Sequence, residues 1–140
     1  MGRILAIDYG KKRTGIAVTD PLRIIATRLD TVESTKIWDF LADYFRRETV
    51  DLVVVGYPRQ LNSAPSEATR YIDPFLKAFE RKFPQMPIET VDERFTSKLA
   101  QRAMIDGGLK KSGRQNKALV DGVSATIILQ SWLEQKRNEK

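Results

Sequence analysis

Four acidic residues interrupt apolar runs in which a charge is costly. Asp8 closes the run Ile4–Ile7 and is followed, after Tyr9, by Gly10 and the bases Lys11, Lys12 and Arg13. Asp92 and Glu93 close a second strand-like run that ends near Val91. Asp121 lies near the start of an apolar segment carrying Leu119, Val120, Val123, Ile127, Ile128, Leu129, Trp132 and Leu133. Functional groups gather at the carboxyl ends of parallel strands, so these acids are candidates for one shared site. Carboxylates brought together repel one another and raise each other's pKa unless a cation intervenes. Mg²⁺, with oxygen ligands at about 2.0–2.1 Å and retained waters, suits such a cluster. Two ions roughly 3.5–4 Å apart clamp the attacking and leaving oxygens of a phosphodiester. That chemistry needs no protein base. The chain has no histidine and no cysteine, which excludes Ser-His-Asp and Cys-His catalysis and any imidazole- or thiolate-held metal.

Bases flank the acids. Lys11, Lys12 and Arg13 follow Asp8, while Lys110, Lys111, Arg114 and Lys117 precede Asp121. The formal charge is +6, which favours an anionic partner, and Lys and Arg contacts to phosphate supply most non-specific affinity for nucleic acid. Each feature taken alone also has a structural reading. Asp8 beside a glycine can cap a turn, Asp92 and Glu93 can pair with Arg94 at the surface, Asp121 can complement a helix N-terminus, and charge runs are usually solvated loops. The joint placement is what favours chemistry.

The elements that must position these groups are legible in outline. A length of 140 residues, with 41% hydrophobic and 30% charged, fits a single folded domain over residues 1–140. Strands are expected at Arg3–Asp8, Gly15–Thr19 and Ile24–Val32, joined by short polar links as in an antiparallel meander. From Ser34 the period becomes helical, with Ile37, Phe40, Leu41, Tyr44 and Phe45 on one face and Ser34 or Thr35 as N-cap. The run "DLVVVG" reads as a strand covered on both faces. A loop, "YPRQLNSAP", leads to a helix from near Ser66 toward Phe83, in which Pro74 marks a kink or the true first turn. A fifth strand ends near Val91. A third helix is capped by Thr96 or Ser97 and stops at Gly107 and Gly108. A basic loop then precedes a last, well-buried helix from about Lys117 to Gln135. The order β-β-β-α-β-α-β-α-α implies a mixed sheet with helices on both faces. No leader-like segment and no apolar run of membrane-spanning length is seen, so the expected location is the cytoplasm, with no membrane partner.

Four motifs in order then identify a resemblance. "AIDYGKKRTGIAVTD", "VVVGYP", "VDERFTS" and "KALVDGVSATIILQSWL" resemble, over nearly the whole chain, the signature segments of the YqgF/RuvX family, described as Holliday junction resolvases and pre-16S rRNA processing nucleases. The resemblance implies an α/β, RNase H-like fold whose five-stranded mixed sheet has its first three strands antiparallel. It also implies a Mg²⁺-dependent phosphodiesterase, with Mn²⁺ as an alternative ion, acting on structured nucleic acid. The family acids fall on Asp8, Glu93 and Asp121, with Asp8 bridging two ions. Glu93 is preferred to Asp92 because adjacent strand residues point to opposite sides. Lys12, Arg13 and Arg94 match positions expected to face phosphate, and Thr96 matches a hydroxyl that caps a helix or touches substrate. The segment "RQLNSAPSEA" replaces the Gly-containing turn that many members carry after the G-[LY]-P motif.

The expected partner is precursor ribosomal RNA or branched DNA, and the expected state a monomer or weak homodimer. Two other readings compete. An actin-type ATP-binding protein shares the acid-glycine phosphate loop but needs two lobes, which 140 residues do not supply. A non-catalytic nucleic-acid-binding module would keep the fold without turnover.

Overall fold

The computed structural model describes residues 2–57, 69–92 and 117–138. Its sheet holds β1 (Arg3–Tyr9), β2 (Arg13–Thr19), β3 (Ala26–Glu33), β4 (Val50–Tyr57) and β5 (Ile88–Asp92) in the order β3-β2-β1-β4-β5. β1 pairs antiparallel with β2, and β2 with β3. β1 and β4 are parallel, as are β4 and β5. The expected mixed sheet with an antiparallel first half is therefore present.

β1 is central, and its alternation serves two cores at once. Leu5 and Ile7 join one buried cluster with Ile37, Leu41, Phe75 and Phe79, which come from α1 (Ile37–Arg47) and α2 (Thr69–Lys82). Ile4 and Ala6 join the other, with Ala125, Ile128, Leu129, Trp132 and Leu133 of α3 (Lys117–Asn138). A strand covered on both faces must be apolar at every position, which is why "ILAI" and "VVV" read as continuous runs. The α1–α2 side is rich in rings: Phe75 stacks on Tyr9 at 4.2 Å and on Trp38 at 5.1 Å between centroids. Fully buried Phe79 contributes about 1.5–3 kcal/mol through burial alone. Among the described residues, no helix is long and apolar enough to cross a membrane.

Element bounds differ from expectation by a few residues at several ends, and some of the departures have a local reason. β3 begins at Ala26 rather than Ile24, because the Asp20 carboxylate accepts the backbone N–H groups of Ile24 and Ile25, both at 2.8 Å, and holds them in a turn. Neither Ser34 nor Thr35 caps a helix through its side chain. Residues Ser34–Lys36 form a short 3₁₀ turn ahead of α1, and the Ser34 hydroxyl is engaged elsewhere. Pro74 is inside α2, the sixth residue of its span, as expected, and of the two roles open to it the first turn is excluded. The expected helix from Thr96 or Ser97, the basic loop before α3 and the loop after Tyr57 lie outside the described residues.

Candidate active site

Asp8 is the next-to-last residue of β1 and is half-buried. It follows Ile4 and Ala6 in the alternation, which assigns it to the sheet face covered by α3. Its cross-strand partner on β2 is Gly15. On the other side Ile7 pairs with Val55, so the residue level with Asp8 on β4 is Gly56. The carboxylate thus lies between two residues without side chains. Glycine inside a strand commonly marks close approach of a ligand or another backbone, and neither glycine was among the site residues expected from sequence. The signal was present: Gly56 ends the apolar run Val53–Val55, and Gly15 opens the run Ile16–Val18.

The topology brings the end of β5 to the same edge. β5 runs parallel to β1 through β4, and the register Gly56↔Val91, Tyr57↔Asp92 sets the end of β5 level with Asp8 and Tyr9. α3 has a defined direction across the sheet. Its C-terminal half meets the start of β5, where the Trp132 indole N–H donates to Glu89 at 3.5 Å and the Lys136 ammonium lies 3.9 Å from the same carboxylate. Over its length α3 packs mainly on β2, β3 and β1. Residue 121 precedes Trp132 by about 16 Å of helix. Lys117 and Asp121 belong to α3, although their side chains lie outside those described. Glu93, Arg94, Thr96, Lys110, Lys111 and Arg114 lie outside the described residues altogether.

The basic turn after Asp8 is described in full. Lys11 and Lys12 are exposed, and Arg13 is half-buried at the start of β2, paired in register with Glu33. Burial pushes the Tyr9 phenol above its ordinary pKa, so this neighbour of Asp8 stays protonated near neutral pH and is no general base there. Among the described residues no group of three or more acidic side chains stands together as a cation cage. Two members of the expected triad, Glu93 and Asp121, are not among the side chains so described.

A model of the family "RuvX: Holliday junction resolvase" matches residues 2–135. A protein of Phocaeicola vulgatus named "Putative pre-16S rRNA nuclease" is 59% identical over 137 residues, covering 98% of this chain and 99% of the relative. One of the same name from Christiangramia forsetii is 59% identical over 133 residues, covering 95% and 98%. Among solved structures, the T. thermophilus RuvC in complex with Holliday junction substrate aligns with a TM-score of 0.54 at 16% identity, covering 96% of each chain. The Fowlpox virus resolvase in complex with Holliday junction DNA aligns with a TM-score of 0.53 at 18% identity, covering 96% of this chain and 98% of the other. At such identity the likeness to these two is one of fold.

Proposed function

Since the chain belongs to the RuvX family, we propose that it is a cytoplasmic, metal-dependent nuclease that hydrolyses phosphodiester bonds in structured nucleic acid and matures the 5′ end of pre-16S rRNA. The observation that carries this reading is the setting of Asp8: a carboxylate at a strand end, between Gly15 and Gly56, directly followed by an exposed basic turn. The donor set is all oxygen, which fits Mg²⁺ or Mn²⁺ and no softer ion. Asp8, Glu93 and Asp121 would hold the metal. Bound there, the cations would supply Lewis-acid activation of the phosphodiester and of the attacking water.

The chain's own residues do the rest. The two glycines set no side chain of their own beside Asp8, so that a phosphate can approach the strand end. Lys11, Lys12 and Arg13 grip the nucleic-acid backbone beside it, while Arg94, Lys110, Lys111, Arg114 and Lys117 extend that grip and Thr96 contacts substrate or caps the helix that follows. Contacts of this kind go to the phosphate backbone and carry no sequence information.

A second reading, cleavage of a four-way DNA junction, is favoured by the description of the family model. One assay separates the two: cleavage of a precursor ribosomal RNA end and of a four-way junction, with Mg²⁺, Mn²⁺ or EDTA, by wild type and Asp8→Asn. The expected result is metal-dependent cleavage of the RNA, lowered at least about a hundredfold in the variant, since even outer partners of metal ligands are worth 10–100-fold. Preferential cutting of the junction selects the resolvase reading. Binding of both without cutting by wild type leaves a non-catalytic module.

A further inference from the structure

We propose that Ser34 is a positioning residue for phosphate binding: its buried hydroxyl fixes the shape of the Gly10–Arg13 turn and so the presentation of Lys11 and Lys12 beside Asp8. The inference rests on the nucleic-acid reading above and adds to it a residue outside every motif that supported it.

Ser34 follows β3 directly and is only 6% exposed, and Thr14 on β2 is fully buried. The Ser34 hydroxyl donates to the Gly10 carbonyl at 2.5 Å, and the Ser34 N–H donates to the Lys12 carbonyl at 2.9 Å. The Ser34 and Thr14 hydroxyl oxygens are 2.8 Å apart. A carbonyl can only accept, so the single Ser34 hydroxyl proton is committed to Gly10 and Thr14 must be the donor in the second bond. One residue thereby holds both ends of the Gly10–Lys12 segment, and a third bond fixes its rotamer. The turn is also tight, because a Cβ on Gly10 would run into the Arg13 carbonyl. Lys11 and Lys12 project from this clamped backbone into solvent.

A hydroxyl that capped α1 would leave the turn free, and ordering it would then be charged against every phosphate contact it makes. Ser34 instead gives up the cap to fix the turn in advance. A purely structural serine would alter stability alone. A positioning serine alters how many phosphates the turn engages, which is read from the salt dependence of binding.

The test measures affinity of the full chain, in EDTA to prevent cleavage, for a four-way DNA junction and for a stem–loop RNA between about 50 and about 200 mM salt. Wild type, Ser34→Ala, Lys11→Ala/Lys12→Ala and the triple variant are compared, each with a thermal melt. Ser34→Ala is expected to flatten the slope of log affinity against log salt by about one to two units, as expected for one or two lost phosphate contacts. The lysine pair should do the same, and adding Ser34→Ala to it should change little. A wild-type slope in Ser34→Ala overturns the proposal, as does full additivity with the lysine pair. If Ser34→Ala does not fold, Thr14→Val, which keeps the shape and removes the donor, should shift the slope in the same direction by less, and an unchanged slope there overturns the proposal. Failure of wild type to hold either probe would sink the nucleic-acid reading and this inference with it. Binding by wild type that ignores the lysine pair sinks only the role of the turn.

Discussion

At the scale of single residues, the segment from Asp8 to Ser34 shows how little freedom the site's backbone has. Gly10 has the Arg13 carbonyl where a side chain would begin, and that obstacle is main chain rather than the movable end of a long side chain. Gly10→Ala must open the turn, and overpacking of this kind costs typically about 1–3 kcal/mol. The expected outcome is a loss in that range on urea unfolding, together with weaker nucleic-acid binding. Unaltered stability would show that the turn relaxes and that its shape is not fixed. Ser34 also shows where reading a sequence stops. A serine ahead of an apolar period of 3.6 residues has the signature of an N-cap, and nothing nearby in the chain says otherwise. The groups that claim its hydroxyl, Gly10 and Thr14, lie 24 and 20 residues away. Burial decides the matter, because a buried hydroxyl satisfies the nearest buried acceptor. Asp8 was legible for the opposite reason: its anomaly, an acid closing an apolar run, is local.

Elements were more legible than contacts because period and length are local properties. The five strands follow from short β-branched runs, and the burial of α1 on Ile37, Leu41 and Tyr44 follows from their spacing. What failed was punctuation. Ile24 and Ile25 look like strand but are taken by the Asp20 carboxylate, a side-chain competitor for backbone N–H groups. Pro74 is the clearest conflict between local preference and packing. It occupies the interior of α2, exposed, within a helix anchored by Ile72, Phe75 and Phe79. Proline there has no N–H to donate and crowds the carbonyl four residues back. Packing of the aromatic face overrides the preference, as tertiary context commonly does. Pro74→Ala restores the missing bond and should raise stability. Interior helix scales put the gain at up to about 3 kcal/mol, and the added unfolded-state freedom removes about 0.4–1 kcal/mol of it. An increase of about 1–2 kcal/mol in urea unfolding, with cleavage unchanged, is expected. A decrease would mean that the proline's ring is itself a packing element.

At the scale of the whole molecule, the two ends of the sheet do different work. The carboxyl edge of β1 carries Asp8, the two glycines and the clamped basic turn. The opposite edge carries a staple. The Gly2 N–H donates to the Asp51 carboxylate at 2.8 Å, the Arg23 guanidinium reaches the same oxygen at 2.6 Å, and Arg23 also donates to the Gly2 carbonyl at 3.0 Å. Arg23 does this from a left-handed backbone, φ 61°, which a side chain tolerates only when its contacts hold it there. These bonds tie the start of β1 to the start of β4 and to the β2–β3 loop, elements that no stretch of sequence shows to be neighbours. The staple has a pH signature. The Gly2 N–H first, and the Arg23 guanidinium after it, hold the Asp51 carboxyl below its ordinary value of 3.8. Asp20 is lowered too, mainly by the Ile25 N–H. A carboxyl with a depressed folded pKa binds its proton less readily than the unfolded chain does. Its stabilisation is therefore complete above the unfolded value and is lost as the pH falls through the folded one. Asp51→Asn cannot ionise, so the variant should be less stable than wild type near neutrality and should lose less on acidification. Melting temperatures measured from about pH 7 down to about pH 2 should converge at the acid end. Curves that stay parallel throughout would mean that the Asp51 charge contributes nothing to the fold. Cleavage at neutral pH should be the same in both proteins, because the staple and the site occupy opposite ends of β1. A loss of cleavage with an intact melt would instead couple those ends through the strand that joins them.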